Sequence, residues 1–302
     1  MKNMKFDLRN AVVITIITSA IMFAGIACSE DEDPIINNPV ETVDIVATAM
    51  ASNPDEFNTL VEAVVAADLV ATLEGDGPFT VFAPTDAAFA KLGVDLSTLS
   101  KDELRDILLY HVVAGSVMST DLENGFVETA GGFSIQISVD NGARINTARV
   151  IQPDIMATNG VIHVIDEVLL PPSEDIVDKA ISFNPDEFNT LVAAVVQADL
   201  VSTLKSAGPF TVFAPTDAAF AELGVDLASL SKEDLTSILL YHVVPASVFS
   251  SDLSEGPVLT ANGATVNISL DAGVRVNESN VIIADVMTTN GVIHVIDKVL
   301  LP

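Results

Sequence analysis

One block of sequence is written twice. NPDEFNTLV stands at 53–61 and 184–192, GPFTVFAPTDAAFA at 77–90 and 208–221, LGVDL at 92–96 and 223–227, and NGVIHVID at 159–166 and 290–297, always 131 residues apart. A constant offset means no net insertion or deletion between the first block and the last. Two such periods account for all but 40 of the 302 residues. Solenoid repeats run roughly 20–50 residues, so this period predicts two complete domains of ordinary size instead. The division reads as an address segment at 1–27, a tether at 28–40, and domains at 41–171 and 172–302. The junction Leu169-Leu170-Pro171-Pro172-Ser173 is short and stiffened by proline, which restricts the angle between the domains.

Within each unit the first half reads as helix. Asn53-Pro54-Asp55-Glu56 supplies an N-cap residue, a proline at the first helical position and a glutamate three residues after the cap. Phe57, Leu60, Val61, Val64 and Val65 follow as one apolar stripe. Leu69, Val70 and Leu73 make a short second helix, stopped by Gly75 and Gly77. Phe79 to Phe82 is aromatic and β-branched, hence a strand, and Pro84 ends it. Thr85 is the N-cap of the next helix and Gly93 its stop, while Asp86 suits the helix macrodipole. Ser100-Lys101-Asp102-Glu103 is a capping box ahead of Leu104, Ile107 and Leu108.

The second half reads as sheet. Phe133 to Val139 alternates, Asn141-Gly142 is a hairpin turn, and Ala143 to Ile145 returns. Val150-Ile151 and Val161 to Ile165 add strands, the latter behind an Asn159-Gly160 turn. Helices followed by strands predict an α+β unit with a mainly antiparallel sheet. The two most apolar strands, around Phe79 and Val161, are expected to be neighbours in the core.

Composition excludes several functions. Lys and Arg number 13 against 42 Asp and Glu, a formal charge of −29. Phosphate recognition and polybasic adsorption to anionic lipid both need the opposite sign. The single cysteine permits no intrachain disulfide and no cysteine-rich zinc site. With no Trp and two Tyr, there is no aromatic platform for stacking nucleotides or sugars. The four histidines sit among aliphatics, as Tyr-His-Val-Val and Val-Ile-His-Val-Ile, with no cysteine or carboxylate at ligand spacing. Their expected role is a ring bonded to a backbone or carboxylate partner. There is no Gly-x-Ser-x-Gly elbow, P-loop, dinucleotide turn or EF-hand loop. No catalytic residue, metal site or cofactor is therefore expected. An enzyme would require an apolar pocket holding His111 or His163 beside a hydroxyl and a carboxylate.

The first residues read as an export address. Lys2, Lys5 and Arg9 precede an uncharged run from Ala11 to Ala27, the pattern of a secretory signal. The run ends in Gly25-Ile26-Ala27-Cys28, which resembles the lipobox of bacterial lipoproteins, with Gly25 where that family usually has Leu. The resemblance implies cleavage after Ala27 and lipidation of Cys28; the other reading is an uncleaved anchor helix. Several acyl chains hold a protein on a membrane where one is marginal. Ser29-Glu30-Asp31-Glu32-Asp33 reads either as a solvated spacer or, by resemblance, as the export signal of surface lipoproteins. Cleavage leaves 10 basic and 41 acidic residues.

The repeated blocks also resemble a known domain. TVFAPTDAAFAKL at 80–92, YHVV at 110–113 and ATNGVIHVIDEVLLP at 157–171 are similar to the conserved boxes of fasciclin-type domains. All three return in order at 211–223, 241–244 and 288–302. The resemblance implies two tandem domains, each a mainly antiparallel β-sandwich or wedge with flanking helices, used for binding and adhesion. Thr85, Asp86 and His163, with Thr216, Asp217 and His294, then read as scaffold. Gln152-Pro153-Asp154-Ile155-Met156 resembles a segment through which animal fasciclin domains engage integrins, where the first residue is Glu. The second unit has Ile283-Ala284-Asp285-Val286-Met287, which keeps Asp and Met and loses Pro. The plainer reading is a strand-edge loop whose Asp caps a turn and whose Ile and Met pack inward. Tyr110-His111 and Tyr241-His242 carry a similar adhesive attribution. The expectation is a non-catalytic adhesion protein, lipid-anchored and surface-exposed on a bacterial outer membrane, binding an extracellular or envelope protein or polysaccharide. The alternative is a periplasm-facing envelope scaffold or ligand-binding lipoprotein.

Overall fold

A computed structural model describes residues 43–52, 56–183, 187–224, 230–271 and 273–302. The signal at 1–27, Cys28, the acidic tether and the Asn53-Pro54-Asp55 cap lie outside the described residues. The first unit runs α1 (Ile45–Ser52), α2 (Asn58–Ala66), α3 (Val70–Leu73), β1 (Phe79–Pro84), α4 (Asp86–Leu92), α5 (Lys101–Leu109), β2 (Val112–Ala114), β3 (Gly125–Glu128), β4 (Ser134–Ser138), β5 (Arg144–Ile145), β6 (Ala148–Ala157) and β7 (Gly160–Ile165). The seven strands lie in the order β2-β1-β7-β6-β5-β4-β3. Every pairing is antiparallel except β1 with β7, which runs parallel from Phe79 opposite Gly160 to Pro84 opposite Ile165. The sheet is thus mixed, and the two most apolar strands are neighbours.

Those two strands are buried on both faces, which explains their near-continuous hydrophobicity. Val81, Ala83, Ile162 and Val164 pack under the helices with Leu60, Val64, Phe89, Leu104 and Leu108. Phe82 and Ile165 face the other way, into a second core with Tyr110, Ile135, Ile137 and Ile145. The wedge closes around this second core. In α2 the inward arc is Phe57, Leu60, Ala63, Val64 and Ala67, while Val65, expected in the stripe, is 59% exposed. At 100° per residue, Val65 falls beyond the edge of the arc that Ala63 and Ala67 complete.

Local caps follow the sequence closely. The Thr85 hydroxyl accepts the Ala88 N–H at 3.2 Å, Gly93 takes φ 66° at the end of α4, and Ser100 and Glu103 close their capping box. Asp86 does more than suit its own helix. Its carboxylate accepts the Thr59 N–H at 2.8 Å and the Asn58 side-chain amide at 3.3 Å, so it caps α2 from 27 residues away. Burial raises the Asp86 pKa, but the bonds from Thr59 and Asn58 outweigh it and hold the carboxyl below its usual value. Asn159 is a second hub. Its Oδ1 accepts the Ile45 N–H at 2.9 Å, and its Nδ2 donates to the carbonyls of Leu73 at 2.7 Å and Gly75 at 2.8 Å. One side chain thereby ties the start of α1 and the end of α3 to the β6–β7 turn. Beside it, a Cβ on Gly160 would stand 2.0 Å from the Phe79 carbonyl oxygen, so the parallel pair closes only over glycine.

The second unit repeats the first as α6 (Ile176–Phe183), α7 (Asn189–Gln197), α8 (Val201–Leu204), β8 (Phe210–Pro215), α9 (Asp217–Leu223), α10 (Lys232–Tyr241), β9 (Val243–Val244), β10 (Gly256–Leu259), β11 (Thr265–Ser269), β12 (Arg275–Val276), β13 (Ser279–Thr288) and β14 (Gly291–Ile296). Its sheet order is the same, and Thr216, Asp217, Asn290 and Gly291 repeat the contacts of their counterparts. The two units meet where Phe126 of β3 stacks on Phe249, with centroids 3.9 Å apart and planes 10° from parallel.

Asn159→Ala leaves two buried backbone groups and one half-buried one unpaired, at about 1–3 kcal/mol for each buried group, and Gly160→Ala forces the central strands apart. Both are expected to destabilise the chain by at least about 3 kcal/mol, read as a lowered urea midpoint. A midpoint within experimental error of the parent in both variants would contradict the role given to this turn.

Candidate functional site

The segment singled out in the sequence lies on β6, at a break in its pairing with β7. The register shifts between Val150 and Gln152 and again between Gln152 and Ile155. Beyond Arg149, β5 no longer covers the far side of β6, so Pro153 sits where a missing N–H costs nothing. Asp154 occupies the bulge at φ 60°, a conformation that Asp tolerates better than most residues.

Three contacts hold the bulge. The Asp154 carboxylate accepts the Ser119 N–H at 2.7 Å and also the Ser119 hydroxyl. The Asp154 N–H donates to Nδ1 of His163 at 3.2 Å. Nε2 of His163 donates to the Val117 carbonyl at 2.9 Å, which fixes a neutral tautomer, and the ring stacks on Phe82 at 5.6 Å. The bonds from Ser119 hold the Asp154 carboxyl below its usual pKa. Asp285, Ser250, His294, Val248 and Phe213 repeat the arrangement in the second unit. Burial lowers the His294 pKa, opposed by its bond to Val248 and by the Asp285 carboxylate. His163 and His294 are thus built into a clasp between the bulge and the loop ahead of β3 or β10.

What the clasp presents is apolar. Ile151 and Met156 are more than half exposed, Gln152 and Pro153 are exposed, and Ile155 is half-buried. The Asp154 carboxylate ties the bulge to Ser119, 35 residues away, rather than capping a turn of its own segment, and Met156 points outward. In the second unit Ile282 and Ile283 are exposed, whereas Val286 is buried and Met287 half-buried.

The Tyr-His pairs lie elsewhere, inside the fold. Tyr110 is 0% exposed; its hydroxyl donates to the Ser134 carbonyl at 2.9 Å and accepts the Asn146 side-chain amide at 3.2 Å. His111 is 2% exposed, donating from Nδ1 to the Ile107 carbonyl at 2.7 Å and accepting the Leu169 N–H on Nε2 at 2.9 Å. Tyr241 and His242 are buried and wired alike. No polar atom of these four side chains is offered to a surface ligand. The slit that reaches His111, about 40 Å³, is lined by Ile45, Leu60, Val64, Leu108 and other apolar side chains, and neither a hydroxyl nor a carboxylate lines it. Among the described residues no three His, Cys, Asp or Glu side chains come together to hold a metal ion.

Several members of the site were not legible beforehand. Ser119 and Asn146 are ordinary polar residues in sequence, whose one signal is recurrence 131 residues on, as Ser250 and Asn277; Asn159, which recurs as Asn290, reads as a turn residue but not as a hub. For Ser119 and Asn146 that recurrence falls in a stretch where the repeats otherwise diverge.

The arrangement is that of a scaffold doubled in tandem, which devotes its buried polar groups to structure and displays a short apolar rim. The Fasciclin domain profile matches residues 55–171 and 186–302, and the chain belongs to that family. A Synechocystis protein, sll1483, is 48% identical over 129 residues, which is 41% of this chain and 72% of that protein. Human periostin is 34% identical over 245 residues, covering 76% of this chain and 29% of periostin. This chain therefore spans well under half of periostin. A solved FAS1 domain pair from the insect cell adhesion molecule fasciclin I covers 83% of this chain and 98% of that one, at 21% identity and a TM-score of 0.39.

The buried histidines fix the pH dependence of stability. Burial, only partly opposed by a backbone hydrogen bond, lowers the pKa of His111 and His242 from 6.5 to about 4. The folded state therefore resists protonation that the unfolded chain accepts. Stability is complete above about pH 6.5 and falls as the pH drops toward 4, by roughly 3 kcal/mol per histidine at the bottom of that window. The unfolding midpoint is expected to decrease from pH 7 to pH 5, and His111→Gln to be less stable at pH 7 but with a shallower slope. A slope unchanged in both His111→Gln and His242→Gln would remove the histidines as its cause.

Proposed function

We propose that this is a non-catalytic adhesion protein held on the outer membrane by a lipidated Cys28, its two fasciclin domains facing outward. The observation that carries the reading is the rim at Ile151–Met156: exposed, apolar, and held in one conformation by the Ser119–Asp154–His163 clasp. Preorganised rims lower the entropic cost of binding. The absence of a hydroxyl or carboxylate from the slit at His111 supports binding over turnover. Membership of the fasciclin family fits the same use. The acidic surface favours a neutral or basic protein or polysaccharide, with association that weakens as salt rises. Two domains on one tether add avidity wherever both reach the partner.

Protease shaving of intact cells, with a lysed-cell control, tests the placement. Digestion of the domains on intact cells is expected. Protection until lysis would instead favour a periplasm-facing scaffold, with the acidic tract as a plain spacer. Screening of extracellular proteins and glycans at two salt concentrations tests the binding. Asp154→Ala removes both carboxylate bonds and places alanine at a positive φ. It is expected to weaken any partner held by the rim by about tenfold, while His111→Gln, a buried side chain bonded to Ile107 and Leu169 and not to the clasp, leaves binding intact.

A further inference from the structure

The contact between the two domains joins unlike surfaces. On the first domain it uses the β3–β4 hairpin, with Phe126 in the stack and Glu128 and Phe133 beside it. On the second it uses Phe249, Asp252 and Met287. Such a head-to-tail contact leaves one copy of each surface unused. The repeat offset identifies them. The second domain's own hairpin carries Pro257, Leu259 and Ala264 at the positions of Phe126, Glu128 and Phe133, and the first domain carries Met118, Asp121 and Met156 at those of Phe249, Asp252 and Met287.

Exposure follows this assignment at the Phe126, Phe133, Phe249 and Met287 positions, while Glu128 and Asp252 are exposed like their counterparts. Phe126 and Phe133 are half-buried, whereas Pro257 and Ala264 are exposed. Phe249 is buried and Met287 half-buried, whereas Met118 is half-buried and Met156 is 59% exposed. Leu259, on the free hairpin, is also 59% exposed. The chain therefore ends in two complementary apolar faces that repeat its internal contact.

We propose that a second copy of this chain docks there, the β10–β11 hairpin of one molecule seated on the Met118–Met156 face of the next. Continuity with the internal contact selects this occupant over an unrelated partner. Pro257 lies on an edge strand and removes a donor from it, so the joint forms through side chains and not by extending the sheet. With Met118 and Pro257 in place of the stacked rings, the joint between molecules is weaker than the one within. Each molecule carries a charge of −29, so self-association strengthens as salt rises. That is the opposite of the dependence expected for a basic partner, so salt separates this self-association from the adhesive reading of the rim, with which it shares Met156.

Sedimentation velocity of the purified full chain, across protein concentration at low and high salt, is the test. The expected result is concentration-dependent association that grows with salt. Met156→Lys and Leu259→Lys, in opposite faces, should each weaken it by about tenfold or more. Their equimolar mixture should recover dimers but nothing larger, because only one intact pair of faces remains. Met118→Phe with Pro257→Phe rebuilds the stack and should tighten association, circular dichroism showing that the fold persists. Association unaffected by either lysine, or a parent chain that is monomeric at every salt concentration together with a folded double-phenylalanine variant that is also monomeric, overturns the proposal.

Discussion

The parallel pairing of β1 with β7 is the constraint on which each domain rests. It joins strands from the two ends of the unit and buries both of their faces, one under the helices and one in the wedge. Two residues at its mouth make the pairing possible. Gly160 lets the backbones close to a distance no side chain would permit, and Asn159 gathers the loose ends of α1 and α3 onto the same turn. The site follows from this pairing. His163 stands opposite Phe82 in the register, and from there its ring reaches both the bulge in β6 and the loop before β3.

Buried polar chemistry in this protein is structural. Each of the four histidines has both ring nitrogens engaged, with a carbonyl on one and an N–H on the other. Such rings are held fixed, and an imidazole with both nitrogens engaged is a poor proton shuttle or metal ligand. The net charge of the chain sits mainly on its exterior. It governs solubility and the sign of encounters with other molecules rather than the fold. On the proposed reading, recognition is left to what the scaffold displays: a short apolar rim and the unused faces of the domain pair.

Features encoded locally were legible in the sequence. Thr85, Gly93 and the Ser100–Glu103 box act within one helical turn, and the structure places each where its chemistry requires. The apolar boxes were legible as strands, and so as a core. Long-range features were not. Asp86 read as a favourable residue for its own helix, because nothing near it shows that the start of α2 lies within reach. The helix α1 was missed because Ile45–Ser52 is almost uniformly apolar and small, with no polar stripe to mark a period. Which way Met156 faces is not legible in the sequence, because the register shifts of β6, which turn it outward, depend on a bulge held by Ser119. Phe126 and Phe249 stand where the repeats differ, at Pro257 and Met118, and nothing local in the sequence shows that their rings meet.

The near-identity of the repeats has a consequence for how the chain acquires its structure. FTVFAP forms both β1 and β8, and GVIHVI forms both β7 and β14. At the level of the strands themselves, β1 gains as much from β14 as from β7. Chain order supplies the discrimination. A chain that emerges from one end, whether at the ribosome or from the export channel that the proposed placement requires, frees β7 before β8 appears, which favours closure of the first domain on its own partner. Refolding from denaturant presents all four strands at once, and crossed pairing becomes a competing trap of the kind tandem repeats encounter. Emergence from one end thus favours the native pairing over the crossed one.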